Sequence, residues 1–101
     1  MIKLTEGYGE IEKYKGFHMV FKNGLTASVQ FGYGNYCENR MNRNHKPECP
    51  NTEVAVWHTE TGAWFTGTFI FTDGDTVKGY VSTEEVAKLL YDVSVYEMGE
   101  E

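Results

Sequence analysis

The stretch Gly16–Phe31, GFHMVFKNGLTASVQF, decides how this chain is read. Phe17, Met19 and Phe21 alternate with His18, Val20 and Lys22, and Leu25, Ala27, Val29 and Phe31 alternate with Thr26, Ser28 and Gln30. Alternation with a period of two marks a strand with one buried face. The dipeptide Asn23-Gly24 between the runs is a strong hairpin signal. The pattern also selects the loop length. A two-residue loop would set Phe21 against Thr26 and Met19 against Ser28, apolar against polar. A three-residue loop, Lys22-Asn23-Gly24, pairs Phe21 with Leu25, Met19 with Ala27 and Phe17 with Val29. A slip of one residue turns every side chain to the other face. The three-residue loop is therefore predicted, as a type I turn with Gly24 left-handed in a G1 bulge.

Working outward, residues 52–71, TEVAVWHTETGAWFTGTFIF, continue the strand pattern. Ala55 and Trp57 share one face; Val54, Val56 and His58 share the other. Glu60-Thr61-Gly62 reads as a second three-residue loop with Gly62 left-handed, pairing Trp57 with Phe65, and Phe69 and Phe71 continue that face. TDGDT (72–76) is a turn and VKGYV (77–81) a short strand. On the amino-terminal side, IKLT (2–5) and IEKYKG (11–16) read as short strands. At STEEVAKLLYDVSVY (82–96) the period changes. Ser82 is placed as an N-cap with Glu85 at N3, a capping box. Val86, Leu89, Leu90 and Val93 form one stripe, so an amphipathic helix is predicted from Thr83 to about Ser94, with Leu89 and Leu90 buried. The fold class that follows is α+β: four to six antiparallel strands in meander order, covered on one face by a C-terminal helix. A small closed barrel plugged by the helix is the alternative.

A chain of 101 residues makes one domain, with residues 97–101 as an acidic, frayed tail. Apolar residues at 41% and aromatics at 15% are enough for a folded core. The net charge of −6 opposes general nucleic-acid binding and docking on anionic membrane, and is compatible with a basic protein partner. No apolar run reaches the roughly 18 residues of a membrane span. MIKLTEGYGE has no apolar signal-peptide core, so a cytoplasmic location with reduced thiols is expected.

CENRMNRNHKPECPN, Cys37 to Asn51, interrupts the strand pattern. Arg40, Arg43 and Lys46 against Glu38 and Glu48 give it a charge of +1, which leaves −7 on the rest of the chain. Cys37, His45, Cys49 and the later His58 supply four zinc-type donors, but no pair has the tight spacing of a zinc knuckle. A Cys37–Cys49 disulfide would close a loop of about thirteen residues. Two reduced structural thiols, without cofactor, are the expectation. The neighbouring FGYGNYCENRMNR (31–43) is the candidate binding surface. Tyr33 and Tyr36 offer flat faces, Arg40 and Arg43 offer guanidinium forks, and Asn35 lies between them. Tyrosine with arginine is the composition of binding hot spots. It also suits a nucleotide-like ligand, with a base on tyrosine and a phosphate on arginine. A solvated connecting loop is the plain alternative. Asp73 and Asp75 read as turn residues and His18 as a strand residue. Ser82 is used as a cap and no G-x-S-x-G elbow is present, so enzymatic chemistry is not expected.

NGLTASVQFGYGNYCENR, Asn23 to Arg40, resembles a segment of short phage-encoded accessory proteins of unassigned function. The likeness covers the eighteen residues from Asn23 to Arg40 and rests on the NG turn, the V-Q-F-G strand end and G-N-Y-C. It implies a small protein that binds and inhibits a host defence or regulatory protein in the host cytoplasm, and it carries over no catalytic residue. Three readings follow, in order: a small acidic non-enzymatic binding module; a sequestering binder of a nucleotide-like or phosphate-bearing molecule through residues 33–45; and a zinc-stapled structural domain.

Overall fold

The pairing predicted for the first hairpin, Phe17 with Val29 and Met19 with Ala27, is the register found in the computed structural model of the protein. The Phe21 N–H donates to the Leu25 carbonyl at 2.9 Å, and the Gly24 N–H donates to the Phe21 carbonyl at 3.3 Å. Gly24 has φ 94°, the left-handed region that a residue with a Cβ enters only at a cost. The structure describes residues 1–6, 14–42, 48–65 and 76–97.

The strands β1 (Ile2–Glu6), β2 (Tyr14–Val20), β3 (Leu25–Gln30), β4 (Asn51–His58) and β5 (Val77–Ser82) form one antiparallel sheet in the order β1-β2-β3-β4-β5. The helix α1 (Thr83–Ser94) follows β5 directly, and the fold is α+β. Among the described residues β1 and β5 are not paired with each other, so the sheet is open and the barrel alternative is not formed.

One face of the sheet makes the core. Leu25, Ala27 and Val29 of β3 lie beside Val54 and Val56 of β4 and Val81 of β5, and Leu89 and Val93 of α1 close over them. The helix packs on β3, β4 and β5, not on β1 or β2. Ser82 caps it as predicted, its hydroxyl accepting from the Glu85 N–H at 3.3 Å. Leu90 is half-buried at the margin of the cluster, where a fully buried position was predicted. The stripe is centred on Leu89 and Val93, so Leu90 sits one helical step to its side. Removing Leu89 to alanine should cost about 2–5 kcal/mol.

The second hairpin differs from its predicted register by one residue. His58 N–H donates to Ala63 O and Gly62 N–H to His58 O, both at 2.8 Å, which makes a four-residue loop over 59–62. Gly62 is left-handed as predicted, at φ 75°. Trp57 therefore stands opposite Trp64, and Phe65 falls opposite Val56 on the core face. The physical reason is burial. The predicted register would have put Phe65 beside Trp57 on the side away from the helix, whereas here it is 1% exposed in the core. Phe69, Phe71 and residues 72–75 of the expected turn lie outside the described residues.

Asn23 has a role beyond the turn. Its Nδ2 donates to the Val93 and Tyr96 carbonyls at 2.7 and 3.0 Å, and its Oδ1 accepts from the Leu25 N–H at 3.2 Å. The hairpin tip thus supplies donors to the Val93 carbonyl in the last turn of α1, which also accepts from the Tyr96 N–H, and to the Tyr96 carbonyl just beyond the helix.

Candidate functional site

Between β3 and β4, residues 31–42 alternate inward and outward without forming a strand. Gly32, Asn35, Cys37 and Asn39 are buried; Gly34, Tyr36, Glu38 and Met41 are exposed. Two asparagines take the place of an apolar centre. Asn35 Oδ1 accepts from the Gly32 N–H at 2.9 Å. Asn39 Nδ2 donates to the carbonyls of Phe31 and Glu48 at 2.9 and 3.0 Å, which ties both ends of the excursion together. Left-handed Gly34, φ 87°, lets its N–H reach the Arg40 carbonyl at 2.9 Å, and the Arg40 N–H returns to Cys37 O at 3.0 Å. Buried polar groups are tolerable only when paired in this way.

The excursion docks on an interruption in the sheet. Thr52 pairs with Val81 and Val54 with Lys78, so Glu53 alone faces Gly79 and Tyr80, a bulge. Tyr80 takes φ 55°, the one left-handed residue other than glycine among the described residues. Its N–H, released from the ladder, donates to Tyr36 O at 2.8 Å. The Tyr36 N–H donates to Glu53 Oε2 at 2.8 Å. Glu38 and Asn51 are joined twice: the Glu38 N–H donates to Asn51 Oδ1 at 2.8 Å, and Asn51 Nδ2 to Glu38 Oε2 at 2.9 Å. Gly79 permits the approach, since a Cβ there would stand 2.7 Å from the Tyr36 Cβ.

Among the described residues the outward surface is apolar and aromatic, with the Arg40 cation upon it. Tyr36, Tyr80 and Met41 are 48, 54 and 84% exposed. The Arg40 guanidinium lies over the Tyr36 ring, 4.3 Å from its centroid, a cation–π stack. Two shallow depressions flank this stack. One, of about 470 Å³, is lined by Tyr36, Thr76, Val77, Gly79 and Tyr80; the other, of about 400 Å³, by Tyr33, Gly34, Arg40 and Met41.

Of the residues singled out in the sequence, Tyr33, Tyr36 and Arg40 border this surface. Asn35 does not: it is 4% exposed and its side-chain oxygen is taken by Gly32, so it holds the loop together. Arg43 and His45 lie outside the described residues. Met41 and Tyr80 were missed. For Tyr80 the signal was Gly79, since a lone glycine inside a strand marks a bulge or a close backbone approach. Met41 carried no comparable signal.

Cys37 and Cys49 are both free thiols, and they neighbour one another. Burial pushes the Cys37 thiol up to about 11, with Cys49 and Glu53 adding to the rise. His58 is not with them. It ends β4, seven residues beyond Asn51, which is about 20 Å along an extended strand. Among the described residues no three metal-binding side chains cluster, and no helix is long and apolar enough to cross a membrane.

No known protein family, curated protein or solved structure matches this chain. What the described arrangement offers chemically is contact: aromatic and thioether surface, the Arg40 guanidinium, and a backbone already fixed.

Proposed function

We propose that this chain is a non-enzymatic binding module that recognises another protein through the surface built by Tyr36, Arg40, Met41 and Tyr80. The observation that carries the reading is the ordering of an exposed aromatic and methionine patch by a buried hydrogen-bond network. Side chains held in place before contact lose little freedom on binding. Tyrosine, arginine and methionine are enriched in protein interfaces. Tyr80 adds a second motive, because a left-handed conformation in a bulky residue is costly and such strain gathers at functional positions.

The nucleotide-like alternative is less favoured by the same geometry. Arg40 already covers a face of Tyr36, the face on which a base would stack while its phosphate sought the arginine. On the likeness of residues 23–40 to phage accessory proteins, the partner is a host defence or regulatory protein that this chain inhibits.

Quantitative capture from bacterial lysate tests the reading, comparing the wild-type chain with an Arg40→Ala, Met41→Ala double variant. The expected result is one protein enriched by the wild type and lost at least about tenfold in the variant, with little change in melting temperature. Equal capture by both chains would remove the site from this surface. A co-purifying ultraviolet-absorbing metabolite, lost in the variant, would favour the nucleotide-like alternative.

A further inference from the structure

The two edges of the sheet are unlike. At β5 the ladder is broken by the bulge and by left-handed Tyr80. At the other edge β1 runs regularly against β2 from Ile2 to Thr5. Met1 and Val20 exchange both backbone bonds, N–H to O at 3.0 and 2.8 Å. In an antiparallel ladder such pairs alternate, so Lys3 and Thr5 also turn their backbone groups toward β2. The N–H and C=O groups of Ile2 and Leu4 therefore point outward.

The side chains on this edge are unfinished as well. Ile2 pairs with Met19 and Leu4 with Phe17, which places them on the face that α1 covers elsewhere. The helix does not reach β1, and Ile2 and Leu4 are 66 and 67% exposed. Such an edge, open in backbone and apolar in side chain, is a template for another strand.

We propose that β1 pairs antiparallel with β1 of a second copy of this chain, about a two-fold axis through Leu4. Self-complementarity selects this occupant. With Leu4 opposite its symmetry mate, outward N–H meets outward C=O twice at the axis, the two leucines meet on the helix side, and Lys3 falls opposite Thr5 rather than another lysine. A shift of two residues that centres the axis on Lys3 would keep an antiparallel ladder but set the two lysines directly opposite each other. Residues 1–6 hold one Lys and one Glu, so two chains of net charge −6 meet along a nearly neutral strip. The product is a ten-stranded sheet with both helices on one face. Given the recognition surface proposed above, on which the dimer itself does not depend, two such surfaces then lie near the two β5 ends of the sheet. Eight or so strand spacings separate them, about 40 Å. That arrangement would let one dimer grip two sites on a symmetric partner.

Sedimentation equilibrium over about 5–500 µM tests the pairing, because a dimer forms by mass action. The expected mass rises from one chain to two across this range. Leu4→Pro removes only an outward N–H, a change an edge strand tolerates, and Leu4→Lys sets two cations together at the axis. Both should stay monomeric at every loading, with far-ultraviolet circular dichroism and melting like those of the wild-type monomer. Leu4→Cys, in a Cys49→Ser background with oxidised glutathione, should form an intermolecular disulfide across the axis, each new S–S bond reducing one glutathione disulfide to two thiols. A wild-type chain that stays monomeric at 500 µM overturns the proposal. So does a folded Leu4→Lys chain that still dimerises, or a Leu4→Cys dimer that does not crosslink.

Discussion

The β4–β5 bulge and the β1 edge both leave backbone groups outside the ladder, and the chain deals with them in opposite ways. At the bulge the freed Tyr80 N–H has been taken up within the molecule: it donates to the Tyr36 carbonyl, and the Tyr36 N–H in turn donates to the Glu53 carboxylate. That closure requires a glycine at 79, a strained Tyr80 and two buried asparagines. At β1 the outward groups of Ile2 and Leu4 meet no partner among the described residues. The difference teaches where each region's specificity lies. The closed region presents side chains on a fixed backbone. The open one presents backbone itself, which pairs by register and not by composition.

The largest expected effect is on the closed region. Asn39→Ala deprives the carbonyls of Phe31 and Glu48 of their shared donor and should destabilise by about 2–3 kcal/mol in denaturant titration. A loss near zero would mean that water replaces the amide and that the loop is not closed as described. Next, Gly79→Ala forces a Cβ against Tyr36 and should cost about 1–3 kcal/mol while freeing Tyr36 from the bulge. Tyrosine fluorescence and the Tyr80 amide resonance report that release.

Tyr80→Gly sharpens the contrast by acting in the opposite direction. Glycine takes φ 55° without strain, so stability should hold or rise by about 1 kcal/mol while partner capture falls. If capture is unaffected, the Tyr80 side chain has no part in recognition. A pH effect follows from Cys37. Its thiol titrates near 9 when unfolded and near 11 in the fold, so between these values the unfolded chain binds fewer protons. Stability should therefore be intact below pH 9 and fall as pH rises toward 11. Cys37→Ala should lack that part of the fall when the two melting curves are compared. The smallest effect belongs to the open edge: Leu4→Lys should change the stability of the monomer by no more than about 0.5 kcal/mol.

Much of the fold could be read from the sequence because parity and period report burial directly. Alternation around Asn23-Gly24 was enough to choose between two loop lengths, and the Ser82–Glu85 cap with the Leu89 and Val93 stripe located the helix. The second hairpin was misplaced by one residue because Trp57 and Trp64, both large and apolar, stand on the face away from the helix. Hydrophobicity alone could not tell that face from the core. The candidate site was half legible. Tyr36 and Arg40 follow from composition, but Asn35 looks like a ligand-gripping residue and is instead internal scaffolding. No local pattern separates a buried, bonded asparagine from an exposed one. Tyr80 joins the site through a contact between residues 44 positions apart in the chain, which only the folded sheet creates.

Amide hydrogen exchange at low and high protein concentration tests the contrast between the two regions most directly. The amides of Tyr36, Glu38 and Tyr80 should be protected at both concentrations, since their partners lie in the same chain. The amides of Ile2 and Leu4 should exchange freely at about 5 µM and slow markedly at about 500 µM, as a second copy covers them. Free exchange at Tyr36 and Tyr80, or exchange at Leu4 that ignores concentration, would contradict the account.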